Sequence, residues 1–449
     1  MMATKSGNNN AFFFNLLMGR VHIAPLASFR ILLGIMLFFS TARFMAKGWI
    51  DDLYVKPLYY FSYYGFEWIQ PASREGMYAI YVVMLIAALL ITLGLFYRVA
   101  ALVFFLAFTY VELLDKTNYL NHYYFVSIVS LLMVLVPANK FASLDVKFGF
   151  TERATHVPAW CINIFKLQIG IVYFFAGVAK INPDWLLHAQ PLKIWLSGRD
   201  YLPVIGPVLA LPVMPYIFSW VGMLFDISIF FFLINRKTRP FAYTAVVIFH
   251  MLTGYLFQIG VFPYVMMVAT WIFFSEQFHL RILSVFDKSQ AVIKNYTMLP
   301  AVQHLILSLL TIHFVFQLLL PMRYVLYPGK LFWTEQGYRF SWRVMLMEKN
   351  GYTSFVVKDN TGKVVEVKKS NYLTPQQDKM MSTQPDMILQ FAHYVADEYA
   401  RMGWKNPAVY VDAYVSLNGR RSSQFIDPNV DLAKENESFL PKKWILAPQ

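Results

Sequence analysis

Long apolar stretches alternate with short polar turns over roughly the first 320 residues. Stretches such as YAIYVVMLIAALLITLGLF have the length that a hydrocarbon core of about 30 Å requires. A helix satisfies its backbone hydrogen bonds internally, so helices are the expected form of such segments in lipid. We predict an all-α polytopic membrane bundle of about nine transmembrane helices, at residues 24–45, 76–97, 99–114, 121–138, 158–180, 213–234, 241–257, 261–275 and 300–321.

After Pro321 the pattern becomes that of a folded, water-facing domain. Alternating apolar and polar positions predict one strand pair turning at residues 360–362 and another turning at residues 418–419. Between them, PDMILQFAHYVADEYARMG has the apolar spacing of an amphipathic helix. We expect residues 1–322 to form the membrane domain, and residues 323–449 to form an extramembrane β-rich domain of α+β or sandwich-like fold.

The composition agrees with this division, because 57% of the residues are hydrophobic and only 14% are charged. Basic residues fall in alternate loops, at Arg98, from Lys140 to Arg153 and at residues 236–239, which the positive-inside rule makes cytoplasmic. An odd number of spans then places the C-terminal domain outside. The basic residues form no patch suited to nucleic acid, which is therefore not an expected partner. Cys161 is the only cysteine, which excludes an intrachain disulfide.

Polar residues near the spans are the candidates for chemistry, because they are costly there unless a partner or cavity compensates. The run DKTNYLNHYYF places Asp115, Lys116, Asn121 and His122 in the turn between the third and fourth spans. A polar loop with a helix cap is the alternative reading of this cluster.

A lysine closes the fifth span in the run IVYFFAGVAKINPDW. Lys180 has Gly177 and Ala176 one turn earlier on the same helical face, where small residues admit a second helix or a flat ligand. The alternative is that Lys180 extends toward the membrane surface.

The seventh span carries His250, Gly254 and Gln258 at intervals of four residues, and so on one face. His250 is expected near the middle of the membrane, where it either binds a ligand or makes a structural hydrogen bond. The sequence has no phosphate loop, serine elbow or metal-ligand spacing, so no metal site is expected. A cavity lined by a lysine, histidines and amides suits a lipid-soluble ligand with a polar head, such as a quinone.

These three clusters resemble the vitamin K-dependent gamma-carboxylase family, whose membrane portion is the horizontally transferred transmembrane (HTTM) domain. The resemblance covers DKTNYLNHYYF, VYFFAGVAKINPDW and FHMLTGYLFQIGVFPYVM. It continues through QLLLPMRYVLYPGKLFWTEQGYRFSWRVML into YVDAYVSLNGRRSSQFIDPNVDL. The matching runs keep their order over about residues 20 to 432, with polar residues at the matching positions.

The resemblance implies that Lys180 is the base that deprotonates reduced vitamin K, a phylloquinol or menaquinol. It implicates Asn121 and His122 in the same quinone and oxygen chemistry, and His250 occupies the family's other membrane histidine position. From the three polar clusters we expect a supporting role in quinone binding for Gly177, Gly254, Gln258, Asp115 and Lys116. An amine falls short of removing the γ-proton of glutamate by more than about ten pKa units, roughly 14 kcal/mol. In the family, the hydroquinone anion reacts with O₂, and an alkoxide on the way to the epoxide supplies that stronger base. The resulting carbanion captures CO₂.

The glutamate substrate is expected near Tyr338, Trp342 and Arg343. Animal members of the family read SWDMM where this chain has residues 341–345, so Arg343 reverses a charge. It could bind a substrate carboxylate through two hydrogen bonds, or it could indicate a different acceptor.

The leading hypothesis is therefore a gamma-glutamyl carboxylase, a carbon-carbon lyase coupled to vitamin K epoxidation, in a bacterial inner membrane. Its expected partners are the lipid bilayer, a quinone and a glutamate-containing peptide or protein, with O₂ and CO₂ as cosubstrates. A quinone epoxidase without carboxylation is a close alternative. A membrane transporter or channel, or a scaffold without catalysis, are alternatives of other classes.

Overall fold

A computed structural model describes residues 17–257, 259–285 and 294–448. Within them, every predicted apolar stretch contains a helix. These are α1 (Ala24–Ala46), α2 (Arg74–Leu93), α3 (Tyr97–Leu113), α4 (Asn121–Leu135), α5 (Trp160–Ala179), α6 (Met214–Ile234), α7 (Arg239–Phe257), α8 (Phe262–Thr270) and α9 (Pro300–Leu319).

Six helices in the described ranges are long and apolar enough to cross a membrane, namely α1, α2, α5, α6, α7 and α9. The other three are shorter, with 17 residues in α3, 15 in α4 and 9 in α8. The chain is therefore a helical, multi-pass membrane protein. The predicted count of nine spans is not confirmed, because a 15-residue helix covers only about 22 Å of a core of about 30 Å.

The basic loops gather at one end of the bundle, as their alternation predicts. There the short strands β1 (Arg20–His22) and β2 (His156–Pro158) pair antiparallel. The loop before β2 also binds the segment before α9, since the Thr155 nitrogen donates to the Lys294 carbonyl oxygen at 2.8 Å. The Lys140 ammonium lies 5.8 Å from the centre of the Tyr296 ring. The C-terminal domain packs on the opposite end of the bundle.

The C-terminal domain contains the predicted strand pairs and amphipathic helix. Its four-stranded antiparallel sheet has the strands in the order 364–366, 349–358, 408–417 and 423–424, and it packs with two helices. The described residues of this domain form one sheet with helices, which is an α+β arrangement, so the sandwich-like alternative is not confirmed. The elements are β3 (Lys349–Lys358), β4 (Val364–Glu366), α10 (Pro375–Met381), α11 (Pro385–Arg401), β5 (Ala408–Leu417) and β6 (Ser423–Gln424).

The core of this domain forms where α11 meets the sheet. Ile388, Phe391 and Val395 are spaced at one or two helical turns, and all three are fully buried with Val409 and Val411 of β5. The helix presents these residues on one face because apolar positions three, four and seven apart lie together. This packing explains why the periodicity of the sequence predicts the helix correctly.

Loops of the membrane domain take part in the same core. Phe61, from the loop between α1 and α2, is fully buried in it. Gln377 of α10 donates to the carbonyl oxygen of Tyr59 at 2.6 Å. The expected boundary between residues 322 and 323 falls inside the 3₁₀ helix Leu320–Leu326, which continues α9. The two parts of the chain are thus packed together around the loops at this end of the bundle, where the candidate residues lie.

Candidate active site

Lys180 directly follows α5, and its amine points into the protein. Its Nζ lies 2.7 Å from Oδ2 of Asp226 on α6, and donates to the carbonyl oxygen of Ala176 at 3.2 Å. The Lys180 and Asp226 side chains are only 9% and 8% exposed. The ring of Trp185 lies beside the amine, with its centre 5.4 Å from Nζ. Lys180 therefore does not extend to the membrane surface but forms a buried ion pair.

Gly177 allows the two helices that carry this pair to approach each other. A Cβ at this position would lie 2.5 Å from Cγ1 of Ile227 and 2.8 Å from its backbone nitrogen. Small residues at a helix crossing permit such close approach. The small-residue face predicted on α5 therefore receives a second helix, and this contact brings Asp226 within reach of Lys180.

Lys180 and Asp226 line a mainly apolar cavity of about 90 Å³, together with Tyr173 and His250. The Tyr173 hydroxyl lies 3.0 Å from Nε2 of His250. Nδ1 of the same ring is buried and has no hydrogen-bond partner among the described residues. Because an unsatisfied buried nitrogen is costly, this atom is suited to a ligand or a water molecule.

The residues that follow Lys180 fix Trp185 beside the cavity. The Asn182 side chain accepts a hydrogen bond from the Trp185 nitrogen at 3.0 Å and so caps the short helix Pro183–Leu186. The Trp185 indole donates to the carbonyl oxygen of Ser219 on α6 at 2.9 Å. The Asn-Pro-Asp-Trp sequence after the lysine thus has a structural role in closing the site.

Asp184 connects the same segment to the C-terminal domain. Its carboxylate accepts hydrogen bonds from the Asn418 amide at 2.9 Å and from the guanidinium of Arg420. The hydrogen bond from Arg420 lowers the pKa of Asp184 below its usual value, which keeps the contact charged. The turn between β5 and β6 is therefore anchored next to the lysine segment.

Asn121 and His122 begin α4 and line a larger cleft of about 860 Å³ between the bundle and the C-terminal domain. Tyr338 and Arg343 line the same cleft. His122 is buried and makes no hydrogen bond within the described ranges, but its ring lies 5.7 Å from that of Phe262. The structure brings these predicted catalytic residues together with two predicted glutamate-site residues, rather than with Lys180.

The cavity and the cleft are neighbours. The Phe262 ring lies between them, with its centre 5.7 Å from the His122 ring and 5.5 Å from the His250 ring. The wall that they share is apolar, which keeps the polar groups of the two spaces apart. Four side chains line both spaces: Ile259, Phe262, Val344 and Met345.

The segment 339–345, which contributes Val344 and Met345 to this wall, has a strained backbone. Left-handed backbone in a residue other than glycine costs on the order of 1–3 kcal/mol and persists only when contacts hold it. The Tyr119 hydroxyl accepts from the Phe340 nitrogen at 2.7 Å, and the Asn121 amide donates to the Arg343 carbonyl oxygen at 2.9 Å. The left-handed residues, with φ of 59°, 60° and 51°, are Phe340, Trp342 and Met345.

The predicted glutamate-site residues differ in how they face the cleft. Trp342 is buried against Tyr124, with ring centres 4.9 Å apart. The Arg343 guanidinium lies 4.5 Å from the centre of the Tyr324 ring and donates to the carbonyl oxygen of Pro321 at 3.2 Å. Arg343 and Tyr338 are therefore the cleft-lining members of this group, and substrate binding by them stays a prediction.

Asp115 and Lys116 turn toward the C-terminal domain rather than toward the cavity of Lys180. Asp115 accepts a hydrogen bond from the Gln377 side chain at 2.9 Å, and Lys116 lies 3.1 Å from Asp386. Burial raises the pKa of Asp386, but the charges of Arg339 and Lys116 lower it by more. The pKa of Asp386 therefore lies well below its usual value. In this structure both residues join the two domains, and a role in quinone binding stays a prediction.

Gly254 lies near the end of α7. Gly254 packs against Pro263, where a Cβ would come within 2.9 Å of the proline ring. Gln258 lies outside the described residues. Asp226 was missed in the sequence, although it is the only acidic residue in the apolar run MPYIFSWVGMLFDISIFFFLI. A lone ionisable residue in a membrane span is itself a signal of function, so the sequence contained the means to find it.

A polar chain inside the bundle was missed as well. The Gln168 side chain donates to that of Gln317 at 3.2 Å, and Gln317 donates to the Tyr124 hydroxyl at 2.8 Å. This chain links α5, α9 and α4, and Tyr124 then stacks on Trp342. Hydrogen bonds between helices stabilise membrane bundles, so these glutamines fix the position of Tyr124, on which Trp342 of the strained segment stacks.

Two comparisons with protein-family models cover most of the chain. A model described as "HTTM domain" matches residues 19–278, which is more than half of the 449 residues. A second, described as "Vitamin K-dependent gamma-carboxylase, lumenal domain", matches residues 302–449. No solved structure matches the chain significantly. The two matches follow each other in the order that the resemblance implies, and the chain belongs to the vitamin K-dependent gamma-carboxylase family.

Proposed function

We propose that this protein is a gamma-glutamyl carboxylase-like enzyme, which oxidises reduced vitamin K with O₂ and adds CO₂ to glutamate side chains. The observation that carries the proposal is the adjacency of two spaces. One is a cavity with the buried amine of Lys180, and the other is a cleft lined by Asn121, His122 and Arg343. A base protected from water beside an accessible acceptor site is the arrangement that this chemistry requires.

The cavity residues fit a reduced naphthoquinone. Lys180 offers an amine, and His250 offers a ring nitrogen that lacks a partner within the described residues. Phe249 and Phe262 offer aromatic surface to a flat ring. When bound, the reduced quinone would supply, with O₂, the strong base that no side chain can provide. Because the cavity of about 90 Å³ is smaller than the roughly 300 Å³ at which ligand pockets begin, binding requires the cavity to enlarge.

The cleft suits a glutamyl peptide. It lies between the bundle and the C-terminal domain, where a peptide can approach from water. Arg343 lines the cleft, and its guanidinium, which here contacts the Tyr324 ring and the Pro321 carbonyl oxygen, would turn toward the cleft to bind a carboxylate through two hydrogen bonds. Tyr338 lies beside it, and Trp342 supports the segment that carries both. In this arrangement the side chain to be carboxylated reaches the wall at Val344 and Met345.

The position of the basic loops supports an extracytoplasmic C-terminal domain. These loops lie together at the end of the bundle away from that domain, and the positive-inside rule makes such an end cytoplasmic. We place the active site at the outer face of the membrane accordingly. A bacterial inner membrane is the location that we propose.

The proposal is tested with the purified full-length chain in lipid nanodiscs, supplied with reduced vitamin K or menaquinol. Incorporation of ¹⁴CO₂ into a glutamyl peptide and formation of quinone epoxide are measured in the same reaction. Both products are expected, and both should depend on the reduced quinone. Epoxide without fixed CO₂ would leave only the epoxidase alternative, and the absence of both products would overturn the proposal.

A further inference from the structure

The buried partner of Lys180 changes what the lysine must do as a base. Asp226 and Lys180 are the only carboxylate and ammonium groups among the described residues that line the cavity of about 90 Å³. Their closest atoms lie 2.7 Å apart. A lysine ammonium that is paired with a carboxylate has no lone pair with which to accept a proton. Lys180 must first pass one of its own protons to another group.

Asp226 is the group within reach. Its Oδ2 already accepts a hydrogen bond from Lys180 Nζ, so one proton can move along that bond without either side chain moving. The charged pair and the neutral pair of amine and carboxylic acid contain the same number of protons. Because burial in apolar surroundings penalises both ions, the neutral pair becomes accessible.

The other titratable groups that line the cavity are Tyr173 and His250. They lie 3.0 Å from each other, through the Tyr173 hydroxyl and Nε2 of His250. Neither is a hydrogen-bond partner of Lys180 Nζ, whose partners are Asp226 and the carbonyl oxygen of Ala176. The geometry therefore singles out Asp226.

We propose that Lys180 and Asp226 act as one proton-accepting unit, in which Asp226 takes a proton from Lys180 as Lys180 takes one from the bound hydroquinone. This inference rests on the proposed function. An N–H bond of Lys180 breaks and an O–H bond forms on Oδ2 of Asp226. A hydroxyl O–H bond of the reduced quinone breaks, its electron pair stays on oxygen, and a new N–H bond forms on Lys180. The unit gains one positive charge and the quinone one negative charge, so charge is balanced without any further reactant.

The first test compares Asp226→Asn and Asp226→Glu with the wild-type chain in nanodiscs, measuring epoxide formation against pH. In the wild type the proton is accepted inside the protein, so the rate should vary little around neutral pH. Without the carboxylate, the Lys180 proton must leave to solvent. Asp226→Asn should therefore lose about 100-fold in rate at neutral pH, a typical effect of losing acid-base assistance, and recover part of it as pH rises. Asp226→Glu keeps a carboxylate and should retain much more activity.

A second readout does not depend on turnover or on the folding of a variant. Difference infrared spectra of the wild type, recorded without O₂ on addition of reduced quinone, should show a protonated-carboxyl band that shifts when aspartate is labelled with ¹³C. The absence of that band would overturn the inference, as would Asp226→Asn with wild-type rate and pH profile. Failure of the proposed function looks different, because the wild type itself would then form neither epoxide nor fixed CO₂.

Discussion

Lys180 reaches Asp226 because Gly177, one turn earlier on the same helix, leaves no side chain between α5 and α6. A Cβ on Gly177 would lie 2.8 Å from the backbone nitrogen of Ile227, the residue after Asp226. Backbone atoms cannot rotate out of the way as a flexible side chain can. The ion pair and the close helix contact are therefore a single structural feature.

Gly177→Ala should separate the two helices and weaken this ion pair. Overpacking of this kind typically costs about 1–3 kcal/mol, and we expect a matching fall in thermal stability together with reduced epoxide formation. Gly222→Ala, on α6, is the matched control for stability, since its nearest neighbour would be a Trp185 ring carbon at 4.0 Å. Unchanged stability and unchanged epoxidation in Gly177→Ala would contradict this role.

Asn121→Ala should affect the two proposed reactions unequally. The Asn121 amide holds the Arg343 carbonyl oxygen, and thereby the strained wall beside the cleft. A typical hydrogen bond contributes about 1 kcal/mol net, so the ratio of fixed CO₂ to epoxide should fall by roughly fivefold.

The control for this variant is Asn429→Ala, which removes an exposed hydrogen bond to Asp427 at a residue that lines neither the cavity nor the cleft. Its ratio of products should stay at the wild-type value. An equal loss of both products in Asn121→Ala would instead place Asn121 in the quinone chemistry alone, as the resemblance implies. It would contradict the expectation that the Asn121–Arg343 hydrogen bond mainly serves CO₂ fixation in the cleft.

Much of the fold follows from local pattern. The predicted helix positions and the turns at residues 360–362 and 418–419 are confirmed, because helix and hairpin formation depend on nearby residues. Asn418 and Gly419 have the positive φ angles, 54° and 74°, that such turns favour. These features involve residues that are close in sequence.

The contacts between distant segments were not predictable in the same way. Asp226 lies 46 positions from Lys180, and a helix that is apolar on nearly all sides does not reveal which face meets which neighbour. Asp115 and Lys116 were assigned to the quinone because their loop is near Asn121 in sequence. In the structure the side chains of that loop point in different directions, and only the packed C-terminal domain explains where these two go.

The contact between Lys116, Arg339 and Asp386 should make the docking of the C-terminal domain sensitive to pH. Asp386→Asn leaves two cations without their shared carboxylate, and breaking a buried pair costs about 3 kcal/mol. The pKa of Asp386 is lowered in the folded protein, so its stabilisation is present above the unfolded value of about 4 and is lost as pH falls below it.

Thermal unfolding in detergent at several pH values measures this effect. The difference between wild type and Asp386→Asn should be large at neutral pH and should shrink below about pH 4. Asp52→Asn is the control, since it removes a solvent-exposed pair with Lys56, and exposed pairs contribute little to stability. A difference that does not change with pH would show that Asp386 acts by shape rather than charge.

The central claim is that the buried amine of Lys180 starts both reactions. It is tested most directly by measuring quinone epoxide and ¹⁴CO₂ fixation together in Lys180→Ala and in Lys166→Ala. The second variant removes a lysine from the first half of α5, where it lines neither the cavity nor the cleft. We predict that Lys180→Ala loses both products by at least about 100-fold, whereas Lys166→Ala retains both. Wild-type levels of both products from folded Lys180→Ala protein would contradict the assignment of Lys180 as the base.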